Sequence, residues 1–266
     1  MIVTVRGEGP LIVSIPHAGL EIPADIAPSL VSLNRARYDA DLYVDQLYAF
    51  AFKLGATIVR TTTSRTVIDV NRDPSGATLY PGQFTTGLCP VETFDGDPLY
   101  HPGKEPDDAE IARRRSAYFD PYHALLRAEI DRLRALHPTI VLYEAHSIRS
   151  VVPKLFDGRL PEFNIGTNSG AACAPELAAA IAAICTDQQR SHVVDGRFKG
   201  GWTTRHYGEP DKGVHAIQME LAMRTYVEEV PAANWPPRWD GIHAAQAHAT
   251  LRPILTAAID FAKAQA

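Results

Sequence analysis

Apolar and polar positions along the chain fall into two alternating kinds of segment. Short runs rich in β-branched residues recur as IVTV, LIVSI, ATIVR, TVIDV, TIVLY, HVV and VHAIQMEL, each of strand length. Between them lie longer helical patterns, from about Asp39 to Leu54, Pro106 to Leu136, Pro175 to Asp187 and Gly241 to Lys263. This alternation predicts an α/β fold, a sheet carrying helices on its faces. The Pro and Gly clusters from Asp73 to Gly87, Pro90 to Pro106 and Gly196 to Gly213 read as long loops, and loops of that length in a compact domain are usually functional. No repeat, low-complexity tract or linker interrupts the pattern, so residues 1–266 are expected to form a single domain.

Composition narrows the class. A chain of 266 residues with 45% hydrophobic content can bury a sizeable core. The net charge is −5 and the basic residues are scattered, which argues against a nucleic-acid partner. The longest apolar stretch, ELAAAIAAIC, is shorter than the ~20 residues of a membrane span, and the N-terminal run is too short for a signal peptide. A cytoplasmic protein without a membrane partner is expected. Cys89, Cys173 and Cys185 are odd in number and lack CxxC spacing, which predicts reduced thiols and excludes a cysteine-rich zinc knot.

Chemistry gathers where the strand-like runs end. LIVSI reads as a short buried strand that runs straight into Pro16, His17, Ala18 and Gly19; TIVLY leads to Glu144, Ala145, His146 and Ser147; VHAIQMEL ends around Glu220. In open α/β sheets, ligands collect outside the carboxyl ends of the strands, where residues remote in sequence converge. Either histidine alone is compatible with an ordinary turn residue. Together with a carboxylate they match a catalytic metal site, which takes three protein ligands and leaves one position for water. Glu21, Asp39, Asp41 and Glu144 are the candidate carboxylates. Asp39 and Asp41 lie in the first turn of the predicted helix, where acidic residues also complement the helix dipole. The site chemistry suits a borderline ion such as zinc, with cobalt, manganese or iron as alternatives.

Asn71 and Arg72 follow the TVIDV run, and a fixed guanidinium beside an amide is a ready clamp for a carboxylate. The glycine-rich stretch VVDGRFKGGWTTRHYGEP holds Arg197, Lys199, Arg205 and His206 and suits a loop over an anionic ligand, without the order of a Walker loop. Ser147 lacks a nucleophile elbow.

Eight blocks, SIPHAG, DADLYVDQLY, SRTVIDVNRDP, LYPGQFTTGLCP, EAHSIRS, LPEFNIGTNSG, GRFKGGWTTRHYG and GVHAIQMELA, follow one another from about Val13 to Tyr226. In that order they resemble the N-formylglutamate amidohydrolase family, deformylases of histidine degradation related to zinc carboxypeptidases and to succinylglutamate desuccinylase and aspartoacylase. The resemblance implies a three-layer αβα fold with a central mixed sheet, one zinc ion, and hydrolysis of N-formyl-L-glutamate, a small acidic substrate, to glutamate and formate. It implies His17, Asp41 and His146 as metal ligands. The relatives' His-x-x-Glu motif is altered here, because Leu20 stands at that offset and Glu21 one later; Asp41 is favoured by similarity and Glu21 is next. Glu220 resembles the general base, and Asn71 with Arg72 the pair that holds a substrate carboxylate. A substrate with two carboxylates calls for two cationic clamps, for which Arg72 and Arg205 are expected, with Arg65 and Arg149 in reserve. The rival readings are hydrolysis of another N-acyl amino acid or a peptide C-terminus by the same machinery, and a non-catalytic binder of acidic metabolites.

Overall fold

Seven strands hydrogen-bond into one mixed sheet among the described residues: β1 (Ile2–Val5), β2 (Leu11–Ile15), β3 (Thr57–Thr61), β4 (Ile140–Ile148), β5 (Phe163–Gly166), β6 (His192–Val194) and β7 (Val214–Ala222). Their spatial order is β1-β3-β2-β4-β7-β5-β6. The four central strands β3, β2, β4 and β7 run parallel, β1 pairs antiparallel to β3, and β5 antiparallel to β7. The computed structural model describes residues 1–78, 82 and 84–265; Leu79, Tyr80, Pro81 and Gln83 of the LYPGQFTTGLCP block lie outside the described residues.

The helices are α1 (Leu33–Arg37), α2 (Val44–Leu47), α3 (Asp108–Arg114), α4 (Asp120–Arg134), α5 (Pro175–Asp187), α6 (Trp202–Tyr207) and α7 (Gly241–Ala264). On one face of the sheet, Leu177, Ile181 and Cys185 of α5 pack with Ala244, Ala247, Leu251, Leu255, Ala258 and Ala262 of α7 against Tyr143, Ala145, Ile217 and Met219. The i, i+3, i+4 spacing of these residues is what makes each helix present one apolar stripe. On the other face, Tyr122, Leu126, Ile130 and Leu133 of α4 and Tyr207 of α6 cover Ile12, Leu142 and Ala216. The result is the expected three-layer αβα arrangement. Strands β2, β4 and β7 are buried along their whole length, which is why they read as nearly continuous apolar runs. No helix among the described residues is long and apolar enough to cross a membrane. The three cysteines are buried free thiols.

Three local expectations are corrected. The segment from Asp39 is not one helix: residues 38–43 form turns, Tyr43 adopts a left-handed φ of 63°, and only Val44–Leu47 is α-helical before a 3-10 stretch over Ala49–Leu54. Tertiary bonds override helix propensity there, since the Asp41 amide donates to His17 O (3.0 Å) and Tyr226 Oη donates to Leu42 O (2.7 Å). TVIDV is not a strand. It folds through turns in which Val67 N donates to Ser64 O and Asp69 N to Leu88 O, while Val67, Ile68 and Val70 are buried in two different clusters. The predicted helix from Pro106 to Leu136 is α3 and α4 joined by a π turn over Arg115–Phe119, where Pro121 cannot supply the amide hydrogen that a continuous α-helix requires.

Gly19 decides the path of the corner after β2. A Cβ there would lie 2.5 Å from Thr62 C and 2.5 Å from Thr63 O, because the chain runs tightly beside the end of β3. Glu21 N donates to Thr62 O (2.8 Å) and Ser64 N to Glu21 O (2.9 Å), holding the two segments together. Backbone has to shift to admit a methyl, so Gly19→Ala should lower stability by about 1–3 kcal/mol. Urea unfolding reads this directly; a loss below about 0.5 kcal/mol, the size of an ordinary surface change, would contradict the reading.

Candidate active site

Alternate residues of β4 and β7 change character along the strand. On the face covered by α4 and α6, β4 presents Ile140, Leu142, Glu144 and His146 in turn, and its register partners on β7 are Val214, Ala216, Gln218 and Glu220. Paired residues of parallel strands share a face, so two carboxylates, an imidazole and an amide form a polar quartet beyond the apolar pairs. His17 arrives at the same place from the corner after β2. Asp41 arrives from the turn that its own amide ties to His17 O (3.0 Å).

His17, Asp41 and His146 are all buried, and one candidate ligand atom from each lies within 4.8 Å of the others. Each imidazole is oriented by a carboxylate on its far side. His17 Nε2 donates to Asp69 Oδ1 (2.7 Å), and His146 Nε2 to Glu144 Oε2 (3.1 Å). A nitrogen that donates to a carboxylate carries the proton, so whenever the rings are neutral with Nε2 donating, their Nδ1 atoms present lone pairs. They face Asp41: His17 Nδ1 is 3.7 Å and His146 Nδ1 3.1 Å from Asp41 Oδ2, which also accepts from Ser147 N (3.1 Å). His17 Nδ1 and Asp41 Oδ1 have no hydrogen-bond partner. Converging lone pairs in a buried site repel one another unless positive charge sits among them, so the donor set fits a divalent cation of N/O preference. Protons compete for the same place. Burial lowers the pKa of His146, but the hydrogen bonds its ring donates to Asp41 and Glu144 outweigh it and push it up to about 10.

Asp69 anchors the rear of the site. Besides His17 it accepts from Arg65 Nη2 (2.7 Å) and Asn71 N (2.9 Å), and Arg72 Nη2 is 3.5 Å away. Burial alone would raise its carboxyl, yet Arg72, His17 and Arg65 hold it well below the usual range. Asn71 Oδ1 accepts from Thr203 N (2.9 Å), and Asn71 Nδ2 lies 3.0 Å from His146 Nε2. Gly201 lets α6 come this close, because a Cβ there would lie 2.3 Å from Asn71 Nδ2. Glu220 is buried, with Gln218 Nε2 donating to it at 3.3 Å. Burial pushes its carboxyl up to about 8, with Asp41 adding to the rise and His146, Arg65 and Arg72 opposing it. A carboxyl poised near neutrality suits proton transfer.

A cavity of about 230 Å³ opens onto this group, lined by His17, His146, Glu220, Asn71, Arg65 and Arg72 at its floor and by Phe84, Leu155, Arg197 and Phe198 further out. Not all residues singled out from sequence come here. Arg205 does not line the cavity; it lies on α6 with Nε donating to Gly200 O (2.9 Å). Arg149 is likewise outside it, bound to Asp39 (3.1 Å) and Asp95 (2.8 Å) over the Tyr38 ring. Asp39 is occupied by Arg149 and Phe94 N, and Glu21 lies at the surface against Thr62 and the N-terminal amine. Asp41 is the carboxylate that joins the two histidines. Asp69 and Gln218 were not anticipated as site residues, and Arg197 was expected only as one of several charges on a loop over an anionic ligand. The period of two along β7 points from Glu220 back to Gln218, whereas Asp69 is hidden inside an apolar run.

Comparison with known proteins finds relatives that share most of the chain. Residues 9–227 match the family model described as N-formylglutamate amidohydrolase. The chain is 48% identical over 225 residues to the N-formylglutamate deformylase of Pseudomonas putida and 47% identical over 225 residues to that of Pseudomonas aeruginosa, covering 84% of each chain in both cases. Its backbone is similar to the crystal structure of N-formylglutamate amidohydrolase from Ralstonia eutropha JMP134, with a TM-score of 0.79 at 23% identity, covering 98% of this chain and 97% of that one. A gene product of Agrobacterium tumefaciens has the same fold at a TM-score of 0.69 and 23% identity, over 98% and 95% of the two chains. By the extent of the family match and the closeness of the two Pseudomonas relatives, the chain belongs to the N-formylglutamate amidohydrolase family.

Proposed function

We propose that the protein hydrolyses N-formyl-L-glutamate to L-glutamate and formate, with His17, Asp41 and His146 holding one divalent cation, most simply zinc. The observation that carries this reading is the buried convergence of two imidazole Nδ1 atoms on Asp41 at the floor of a cavity that Glu220 also lines. The relatives named N-formylglutamate deformylase support the substrate. The ion, when bound, supplies Lewis-acid polarisation of a carbonyl and lowers the pKa of an adjacent water.

The chain's own groups then divide the work. Asp69 and Glu144 fix the imidazoles in the tautomer that leaves Nδ1 available, a role that carboxylates beside metal-binding histidines commonly fill. Glu220 accepts a proton from the attacking water as its oxygen bonds to the formyl carbon. It returns that proton to the amide nitrogen as the carbon–nitrogen bond breaks, so that formate and the free amine leave. Arg72 with Asn71 stands beside the reacting group and holds the carboxylate attached to the substrate's α-carbon. Arg65, paired with Asp69 (2.7 Å) and 3.6 Å from Asp41, balances the negative charge behind the histidines.

Glu220→Gln removes the proton carrier and keeps the shape of the site. Turnover of N-formyl-L-glutamate should fall by about 10²–10⁴-fold while bound metal, measured by atomic emission, stays at the parent level. Retained turnover would remove Glu220 from the role. The same substitution should raise stability. Glu220 keeps its proton in the folded protein up to about pH 8, well above its ordinary value of 4.5, so the stability it contributes is full below 4.5 and is lost as pH rises toward 8. In chelator-treated protein, calorimetry should find Glu220→Gln melting above the parent at pH 8, with the gap narrowing toward pH 5; a parent that melts higher at pH 8 would contradict this sign. Asp69→Asn takes away the acceptor that orients His17 and should weaken metal binding by about 10–100-fold in competition against a chromophoric chelator. Unchanged affinity would show that His17 needs no such support.

A further inference from the structure

Arg72, Arg65 and Arg197 line the cavity, and they approach it from two segments of the chain. Arg65 is buried and salt-bridged to Asp69 (2.7 Å), with Asp41 at 3.6 Å. Arg72 is 3.5 Å from Asp69 and bonds Thr86 O and Thr86 Oγ1 through Nε and Nη2 (both 3.0 Å), next to Asn71, whose amide nitrogen is 3.0 Å from His146. Arg197 comes from a different segment, the glycine-rich stretch between β6 and α6. Its Nε donates to Leu155 O (2.7 Å) and its Nη2 to Phe84 O (3.3 Å), and its guanidinium lies over the Phe198 ring, with Cζ 5.4 Å from the ring centroid.

We propose that Arg197 binds the distal, side-chain carboxylate of the substrate and thereby sets its preference for an acidic side chain of glutamate length. The inference rests on the deformylase reading and adds to it the residue that selects the amino acid. The carboxylate on the α-carbon is one atom from the amide nitrogen and must lie near the reacting centre, where Arg72 is. The second carboxylate is two methylenes further along and must lie toward the outer wall. That wall combines apolar surface from Phe84, Leu155 and Phe198, suited to the methylenes, with the Arg197 guanidinium, suited to a planar anion through paired hydrogen bonds. Arg205 and Arg149, which belong to other contacts, do not line the cavity.

The test compares N-formyl-L-glutamate with N-formyl-L-glutamine, of nearly equal size but without the distal charge, on the metal-loaded parent, Arg197→Gln and Arg197→Lys. The parent should favour the glutamate substrate in kcat/KM by about 10- to 100-fold, the range of a charge-assisted hydrogen bond converted to a rate ratio. In Arg197→Gln the ratio should collapse to within about 3-fold through loss on the glutamate substrate alone, and Arg197→Lys, which keeps the charge without the fork, should fall between. Equal losses on both substrates, or an unchanged ratio in either variant, would overturn the proposal; Arg197→Lys decides the matter should Arg197→Gln fail to fold. If the parent hydrolyses neither compound, the deformylase reading fails and calorimetry of L-glutamate against L-glutamine on the same proteins reads the clamp. A glutamate preference in the parent that the variants lose supports it, and no preference, or one that survives in the variants, overturns it.

Discussion

Two imidazoles and a carboxylate, all buried, turn candidate ligand atoms toward one another, and the surrounding structure is arranged to keep them so. Such an arrangement is unfavourable in a bare protein interior, where uncompensated polar groups are costly. It persists because the opposite side of each imidazole is held by a second carboxylate, Asp69 for His17 and Glu144 for His146, and because Asp69 is itself locked by Arg65, Arg72 and the Asn71 amide. The positive charge of the arginines stays behind the histidines. The front is where the proposed cation would lie.

The sheet turns this local demand into architecture. Along β4 and β7 the same face passes from core to polar site residues within four alternate positions, so rigid strands rather than loops carry His146, Glu144, Gln218 and Glu220. Rigid placement matters because proton transfer is sensitive to small displacements. Loops supply the remaining parts, and tertiary bonds fix them: the His17 corner is pinned to the Asp41 turn, and α6 is brought against Asn71 by Gly201. In the proposed mechanism, the raised carboxyl of Glu220 is stability given up for function, a common feature of catalytic groups.

Elements with long, clean periodicity were legible in the sequence. The helical stretch Pro175–Asp187 and the strands carrying LIVSI, TIVLY and VHAIQMEL stand where their patterns put them, and with them His17, His146 and Glu220 fall at the carboxyl ends of parallel strands. The rest was hidden for identifiable reasons. An aspartate near an apparent helix start reads equally as a dipole partner or a ligand, and only the bonds to His17 O and Ser147 N separate the two for Asp41. TVIDV is apolar because two different clusters bury it, which periodicity does not distinguish from a strand, so Asp69 was concealed within it. β5 has four residues, too few to show a period. In a glycine-rich stretch nothing periodic tells which arginine faces inward, and the structure turns Arg197 rather than Arg205 to the cavity.

The most direct check on the central claim is anomalous X-ray scattering at the zinc edge from crystals of zinc-loaded protein. A single strong peak bonded to Nδ1 of His17, Nδ1 of His146 and the carboxylate of Asp41, with zinc–nitrogen distances of about 2.0–2.1 Å, is the predicted result. A peak elsewhere, or ligation through Nε2 with Asp69 and Glu144 displaced, would contradict it.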